Sequence, residues 1–186
     1  MNSNLQIISG QFRGRKLALP PDARPTQNRA RIALFNMLES GIVDTGVSMT
    51  VWDAFAGSGA FGLECLSRYA NANVVFTDTA PTSVKTVRDN LAKLGVGANG
   101  TVVQADAIGA IEKYGAMADL IFLDPPYADD NLGRSFVVRL GRMAKSGAIV
   151  VWEQETGHEV QPDENIWEIL RDKTYGRARF LILQKK

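Results

Sequence analysis

Residues 50–62 read TVWDAFAGSGAFG: a short apolar run, a carboxylate at Asp53, and three glycines, Gly57, Gly59 and Gly62, in the spacing G-x-G-x-x-G. Where such glycines join a strand to a helix, the backbone can approach a ligand closely and the helix amino terminus faces it. The triplet alone leaves the ligand open. Asp53, four residues before the first glycine, narrows it, because a carboxylate there attracts a cationic amino group and repels a pyrophosphate.

Outward from this stretch the chain alternates. Apolar runs predict strands near 50–55, 73–78, 100–105, 118–124 and 147–153, and amphipathic segments predict helices near 60–70, 80–94, 107–114 and 131–145. Strand and helix in alternation make an α/β fold with a parallel sheet and crossover helices. The tail IWEILRDKTYGRARFLILQKK breaks the pattern, with two β-rich runs meeting at Tyr175-Gly176. An antiparallel hairpin at the sheet edge is expected there, giving a mostly parallel, seven-stranded sheet.

Four consecutive strands end in an aspartate: Asp53, Asp78, Asp106 and Asp124. Aspartate at a strand-to-helix turn is ordinarily a helix cap. In an open α/β sheet, however, the carboxyl ends of the strands are also where ligands bind. Asp78 can accept from two ribose hydroxyls, and Asp106 can receive an adenine amino group. Together with Asp53 they suit S-adenosylmethionine, whose ammonium, sulfonium and ribose call for carboxylates and backbone groups. The candidate cofactor residues are Asp53, Phe55, Gly57, Ser58, Gly59, Asp78, Asp106 and Ala107.

The fourth of these aspartates opens DPPY, residues 124–127, directly after the apolar run LIFL. Prolines stop a strand because they lack an amide donor, but that explains neither Asp124 nor Tyr127. At a rim where ligands bind, a carboxylate and an aromatic flanking two rigid prolines mark a site rather than a simple stop.

Composition bounds the remaining possibilities. With 186 residues, 45% hydrophobic and 22% charged, the chain suits one globular domain. No apolar run approaches the length of a membrane span, and the opening MNSNLQIISG lacks the pattern of a signal peptide, so a cytoplasmic protein is expected. One cysteine excludes an internal disulfide, and one histidine argues against zinc, so no metal is expected. Cys65 reads as a core residue and His158 as a solvated loop residue.

The net charge of +1 conceals an asymmetry. Residues 1–31 carry six basic side chains (Arg13, Arg15, Lys16, Arg24, Arg29 and Arg31) against Asp22 alone, a balance of +5 that leaves −4 for the remainder. A basic arm on an acidic body is expected where one end meets a polyanion, and an ordinary solvated face gives the same charge balance. Arg13, Arg15, Lys16 and Arg24 are the candidate contacts to nucleic acid. Residues 5–20 carry two apolar runs around Gly10 and Gly14, which suggests a small N-terminal β arm. Thr26 can then cap a helix with Ala30, Ala33, Leu34, Met37 and Leu38 at helical spacing, closed by Gly41. The expected division is an arm, 1–24, and a catalytic domain, 25–186.

The stretches IISGQFRGRKL, RPTQNRARIALFNML, DAFAGSGAFGLECLSRYA, DPPY and YGRARFLIL, together with Asp78, span the chain from Ile7 to Leu183. By these the sequence resembles the bacterial small-subunit ribosomal RNA guanine-N2-methyltransferases of the RsmD type. The resemblance implies a Rossmann-like class I fold, S-adenosyl-L-methionine as methyl donor, and the N2 amine of a guanine in 16S ribosomal RNA as acceptor, in naked RNA or in an assembling small subunit. It also implies the roles within DPPY: Asp124 and the Pro125 carbonyl accept hydrogen bonds from the two amine hydrogens, and Tyr127 stacks on the extruded base, which makes Asp124, Pro125 and Tyr127 the candidate catalytic residues. Asn28 and Ile32 stand where the family has acidic residues. Three rival readings are weaker. An adenine-N6 methyltransferase also uses a DPPY-type motif; a nicotinamide-dependent oxidoreductase leaves DPPY unexplained; a noncatalytic RNA-binding module leaves the four aspartates unexplained.

Overall fold

The structure is a computed structural model that describes residues 5–21, 28–126 and 130–186. A seven-stranded sheet forms its centre, in the order β3-β2-β1-β4-β5-β7-β6. β1 (Met49–Asp53), β2 (Ala72–Asp78), β3 (Gly100–Gln104), β4 (Leu120–Leu123) and β5 (Ile149–Glu155) run parallel, and β7 (Ala178–Lys185) lies antiparallel between β5 and β6 (Trp167–Tyr175). The carboxyl ends of β1 to β5 therefore share one rim. The strand order reverses between β1 and β4, the position at which open α/β sheets hold their ligands.

Alternation along the strands sorts the core into two layers. Val51, Val74, Phe76, Phe122, Val151 and Phe180 face α1 (Asn28–Glu39), α2 (Ala60–Arg68) and α3 (Pro81–Leu94). Trp52, Ile121, Leu123, Val150, Trp152 and Leu181 face α4 (Ala107–Ala110), the single π-helical turn Ile111–Gly115 that continues it, and α5 (Asp130–Leu140). Side chains on both faces are buried, which is why these strands read as unbroken apolar runs.

Two helices differ from expectation. α4 covers only the first half of the span 107–114 before its turn widens. α5 ends at Leu140 rather than near 145, at Gly141, where any Cβ would lie 2.8 Å from Ile166. The missing side chain lets Ile166, just before β6, pack against the end of the helix.

The expected N-terminal β arm is a short hairpin closed by one antiparallel bridge, Gln6 to Lys16, rather than a pair of long strands. Leu5, Ile7 and Leu17 enter the same core layer as α1 to α3. Polar side chains fasten its backbone. Glu64, fully buried in α2, accepts from the amides of Ile8 and Ser9 at 2.8 and 2.9 Å, and Asn90 of α3 both accepts from and donates to Ala18. At Gly10 (φ +80) a Cβ would lie 1.9 Å from the Ser67 carbonyl oxygen, so only glycine allows this approach to α2. The boundary between residues 24 and 25, and the cap expected at Thr26, lie outside the described residues.

Among the described residues, no helix is long and apolar enough to cross a membrane, and no group of three His, Cys, Asp or Glu side chains could hold a metal ion. Cys65 is buried and His158 exposed.

Candidate active site

The glycine loop between β1 and α2 is organised by two aspartates. Asp53 Oδ2 accepts from the Gly62 amide at 3.0 Å, inside the first turn of α2. Asp78 Oδ2 accepts from the Gly57 amide at 2.8 Å, and its Oδ1 accepts from Ala80 at 2.8 Å. Gly57 and Gly59 hold positive φ, 52° and 76°. Gly62 has a different reason to lack a side chain: a Cβ would stand 2.3 Å from the Phe76 ring, so its absence lets α2 lie directly on β2.

A cavity of about 580 Å³ opens along the rim formed by these strand ends, a size typical of small-molecule sites. One end is lined by Gly57, Asp78, Thr79, Asp106 and Ala107. The other is lined by Asp124, Pro126, Glu153, Tyr175 and Arg177, with Phe55 contributing to the wall. A smaller recess of about 110 Å³ holds Asp53, Ser58, Asp124, Glu153 and Arg31 together. The strand ends thus bring Asp78, Asp106 and Asp124 onto one cavity, and Asp53 meets Asp124 in the adjoining recess.

Each aspartate has its own environment. Asp53 is 1% exposed, and its Oδ1 has no hydrogen-bond partner among the described residues. Burial, and after it the charges of Asp124 and Asp78, pushes the Asp53 carboxyl up to about 8, against the downward pull of the Gly62 amide. Burial also raises Asp124 above the ordinary carboxylate range. A buried carboxylate with an orphaned oxygen lacks a donor, and a cationic ammonium supplies both the donor and the charge. The donor set therefore fits the amino-acid end of S-adenosylmethionine. Asp78 retains lone pairs beyond its two amide bonds and could accept from ribose hydroxyls. Asp106 is the N-cap of α4, accepting from Gly109 at 2.7 Å, and lines the cavity as well.

Several expected residues sit differently. Gly59 lines neither cavity; it is the left-handed residue that starts α2, packed near Val87 and Leu63. Pro125 is buried, and it is Pro126 that faces the cavity. Tyr127 and Arg24 lie outside the described residues. Arg13, Arg15 and Lys16 are exposed on the hairpin. Arg31, counted above with the basic segment, is buried at 3% exposure, where its Nη2 donates to the Gln6 carbonyl. It adds nothing to a surface charge.

Glu153, Tyr175 and Arg177 line the cavity but are not among the expected site residues. The signal for Glu153 was available, since it follows the apolar run IVVW as Asp124 follows LIFL. No local signal places Tyr175 and Arg177, which reach the cavity because β7 pairs with β5 and brings the hairpin turn to the rim.

Comparison with known proteins agrees with this architecture. The model of the family described as Conserved hypothetical protein 95 matches residues 5–184. The chain is 33% identical to the Ribosomal RNA small subunit methyltransferase D of Escherichia coli over 188 residues, covering 100% of this chain and 92% of the relative. The solved structure of the Escherichia coli protein yhhF superposes with a TM-score of 0.81 at 34% identity, over 97% of each chain. An RNA methyltransferase from Salinibacter ruber, solved in complex with S-adenosyl-L-homocysteine, shares the fold with a TM-score of 0.63 at 20% identity, over 86% of this chain and 92% of its own. With its Rossmann-like S-adenosylmethionine-dependent methyltransferase fold, the chain belongs to the Conserved hypothetical protein 95 family, the family of the small-subunit ribosomal RNA methyltransferases D.

Proposed function

We propose that this protein transfers the methyl group of S-adenosyl-L-methionine to the exocyclic N2 amine of a guanine in 16S ribosomal RNA. The observation that carries the reading is the position of Asp124. It opens DPPY on the same cavity as Asp78 and Asp106, and it shares the adjoining recess with Asp53. A relative that spans the whole chain is named as a small-subunit ribosomal RNA methyltransferase, which supports the choice of RNA.

The residues divide the work along the cavity and its adjoining recess. Asp53 holds the cofactor's ammonium, Asp78 its ribose and Asp106 its adenine, with Phe55, Gly57, Ser58 and Ala107 as the surrounding wall. When bound, the cofactor would supply an electrophilic methyl carbon to the N2 lone pair and leave as S-adenosylhomocysteine, with one amine proton lost to solvent. Asp124 and the Pro125 carbonyl accept the two amine hydrogens, which orients the N2 lone pair toward the donor. Proline rings on either side of a peptide unit stiffen the carbonyl's position. Tyr127 is assigned the stacking role on the extruded base. The basic hairpin, with Arg24, contacts RNA phosphates, which makes residues 1–24 the RNA-binding arm and 25–186 the catalytic domain.

The test is incubation with S-adenosylmethionine and unmodified 16S RNA, naked and as small-subunit particles, followed by nucleoside mass spectrometry. N2-methylguanosine is the expected product. N6-methyladenosine would transfer the reading to adenine, and no methylation of either RNA form would overturn it.

A further inference from the structure

Asp124 and Glu153 end neighbouring parallel strands at the same level. β4 and β5 pair Phe122 with Val151 and Leu123 with Trp152, so the next residues on each strand are Asp124 and Glu153. Adjacent strands lie about 4.8 Å apart. Trp152 and Leu123 point into one core layer, which turns both carboxylates toward the opposite face, where each lines the main cavity and the recess. Glu153 is 3% exposed. It stands on the side of Asp124 away from Asp78 and Asp106, beside Tyr175 and Arg177, in the half of the cavity left for the base.

A buried carboxylate on a cavity wall is a strong hydrogen-bond acceptor, and its oxygens can take more than one donor. Guanine offers a matching donor. Its Watson–Crick edge places the N1–H next to the N2 amine, so a base whose amine meets Asp124 carries a second donor toward the neighbouring strand. Adenine presents a bare N1 lone pair in the same place, which a carboxylate repels. We propose that Glu153 accepts the N1–H of the target guanine and thereby selects guanine over adenine in a site whose DPPY motif does not itself distinguish the two. The inference rests on the proposed methylation of a guanine N2.

The experiment uses 2-aminopurine, which keeps the 2-amino group but lacks the N1–H. Once the methylated guanine is mapped, 16S RNA carrying guanine or 2-aminopurine at that position is methylated by the wild type and by Glu153→Gln. The wild type should favour guanine by about 10- to 100-fold in kcat/KM, the scale of a hydrogen bond to a charged acceptor. An amide can donate as well as accept, so Glu153→Gln should lose rate on guanine and hold or gain it on 2-aminopurine, collapsing the preference. The thermal melt should match the wild type and S-adenosylhomocysteine should still bind, which separates base recognition from loss of fold. An equal fall on both bases would make Glu153 a merely structural residue and overturn the inference. So would a wild type that methylates 2-aminopurine as well as guanine, a result that needs no variant. If the wild type methylates no guanine, the functional reading itself fails and the inference falls with it.

Discussion

Asp78 and Gly57 are joined by a hydrogen bond of 2.8 Å across the ends of β2 and β1, from the Gly57 amide to Asp78 Oδ2. The carboxylate proposed to hold the cofactor's ribose is thus the one that holds the glycine loop in place. Its second oxygen accepts from Ala80, at the start of α3.

With both duties, Asp78 should be intolerant of amide replacement. Asp78→Ala should weaken S-adenosylhomocysteine binding by about 1–3 kcal/mol, the scale of hydrogen bonds to a charged acceptor. Asp78→Asn should rescue little of that loss, because its NH2 group would face the Gly57 or the Ala80 amide, donor against donor. Calorimetry on both variants checks the point; full rescue by asparagine would place the ribose contact elsewhere.

Cofactor affinity should depend on pH through Asp53. Its folded carboxyl is raised to about 8 by burial, well above the value of an unfolded chain. A raised group stabilises the fold fully below its unfolded pKa and loses that contribution as pH rises through the folded one. The ligand-free protein should therefore lose stability between about pH 4 and pH 8, with a shallower decline in Asp53→Asn. An ammonium beside Asp53 favours its ionised form, so cofactor binding should release a proton in this window and tighten as pH rises toward 8. Thermal melts across pH, and calorimetry in buffers of different ionisation enthalpy, read the two effects separately.

Asp124→Ala should leave S-adenosylhomocysteine affinity nearly intact and lower turnover by about a hundredfold or more, as expected when a positioned acceptor is removed from the reacting amine. Single-turnover methylation with saturating cofactor isolates this step. Near wild-type turnover would mean that the amine is oriented by other groups.

The arm is expected to act through charge alone. Replacing Arg13, Arg15 and Lys16 together by alanine should spare the fold, because all three side chains are exposed while Leu5, Ile7 and Leu17 hold the hairpin in the core. RNA affinity should drop, and the log–log slope against salt should become shallower by roughly 0.7–0.9 for each phosphate that the variant no longer neutralises. Parallel salt lines for wild type and variant would remove the hairpin from the RNA interface.

The sequence by itself determined the five parallel strands of the sheet, the glycine loop and the four aspartates, because each rests on a local signal. An apolar run stopped by a carboxylate marks a buried strand reaching its rim, and a glycine triplet after it marks a loop that must bend and pack closely. Tertiary structure decided what those residues meet. Glu153 and Asp124 lie 29 positions apart in the chain and become neighbours only through the register of β4 with β5. Arg31 reads as one more surface cation, yet α1 packs it inward, among Asp53, Asp124 and Glu153. The hairpin turn at Tyr175 and Arg177 reaches the cavity because β7 inserts between β5 and β6. Strand pairing and helix docking act between segments distant in sequence, and residue order carries no direct mark of which rim position will face which.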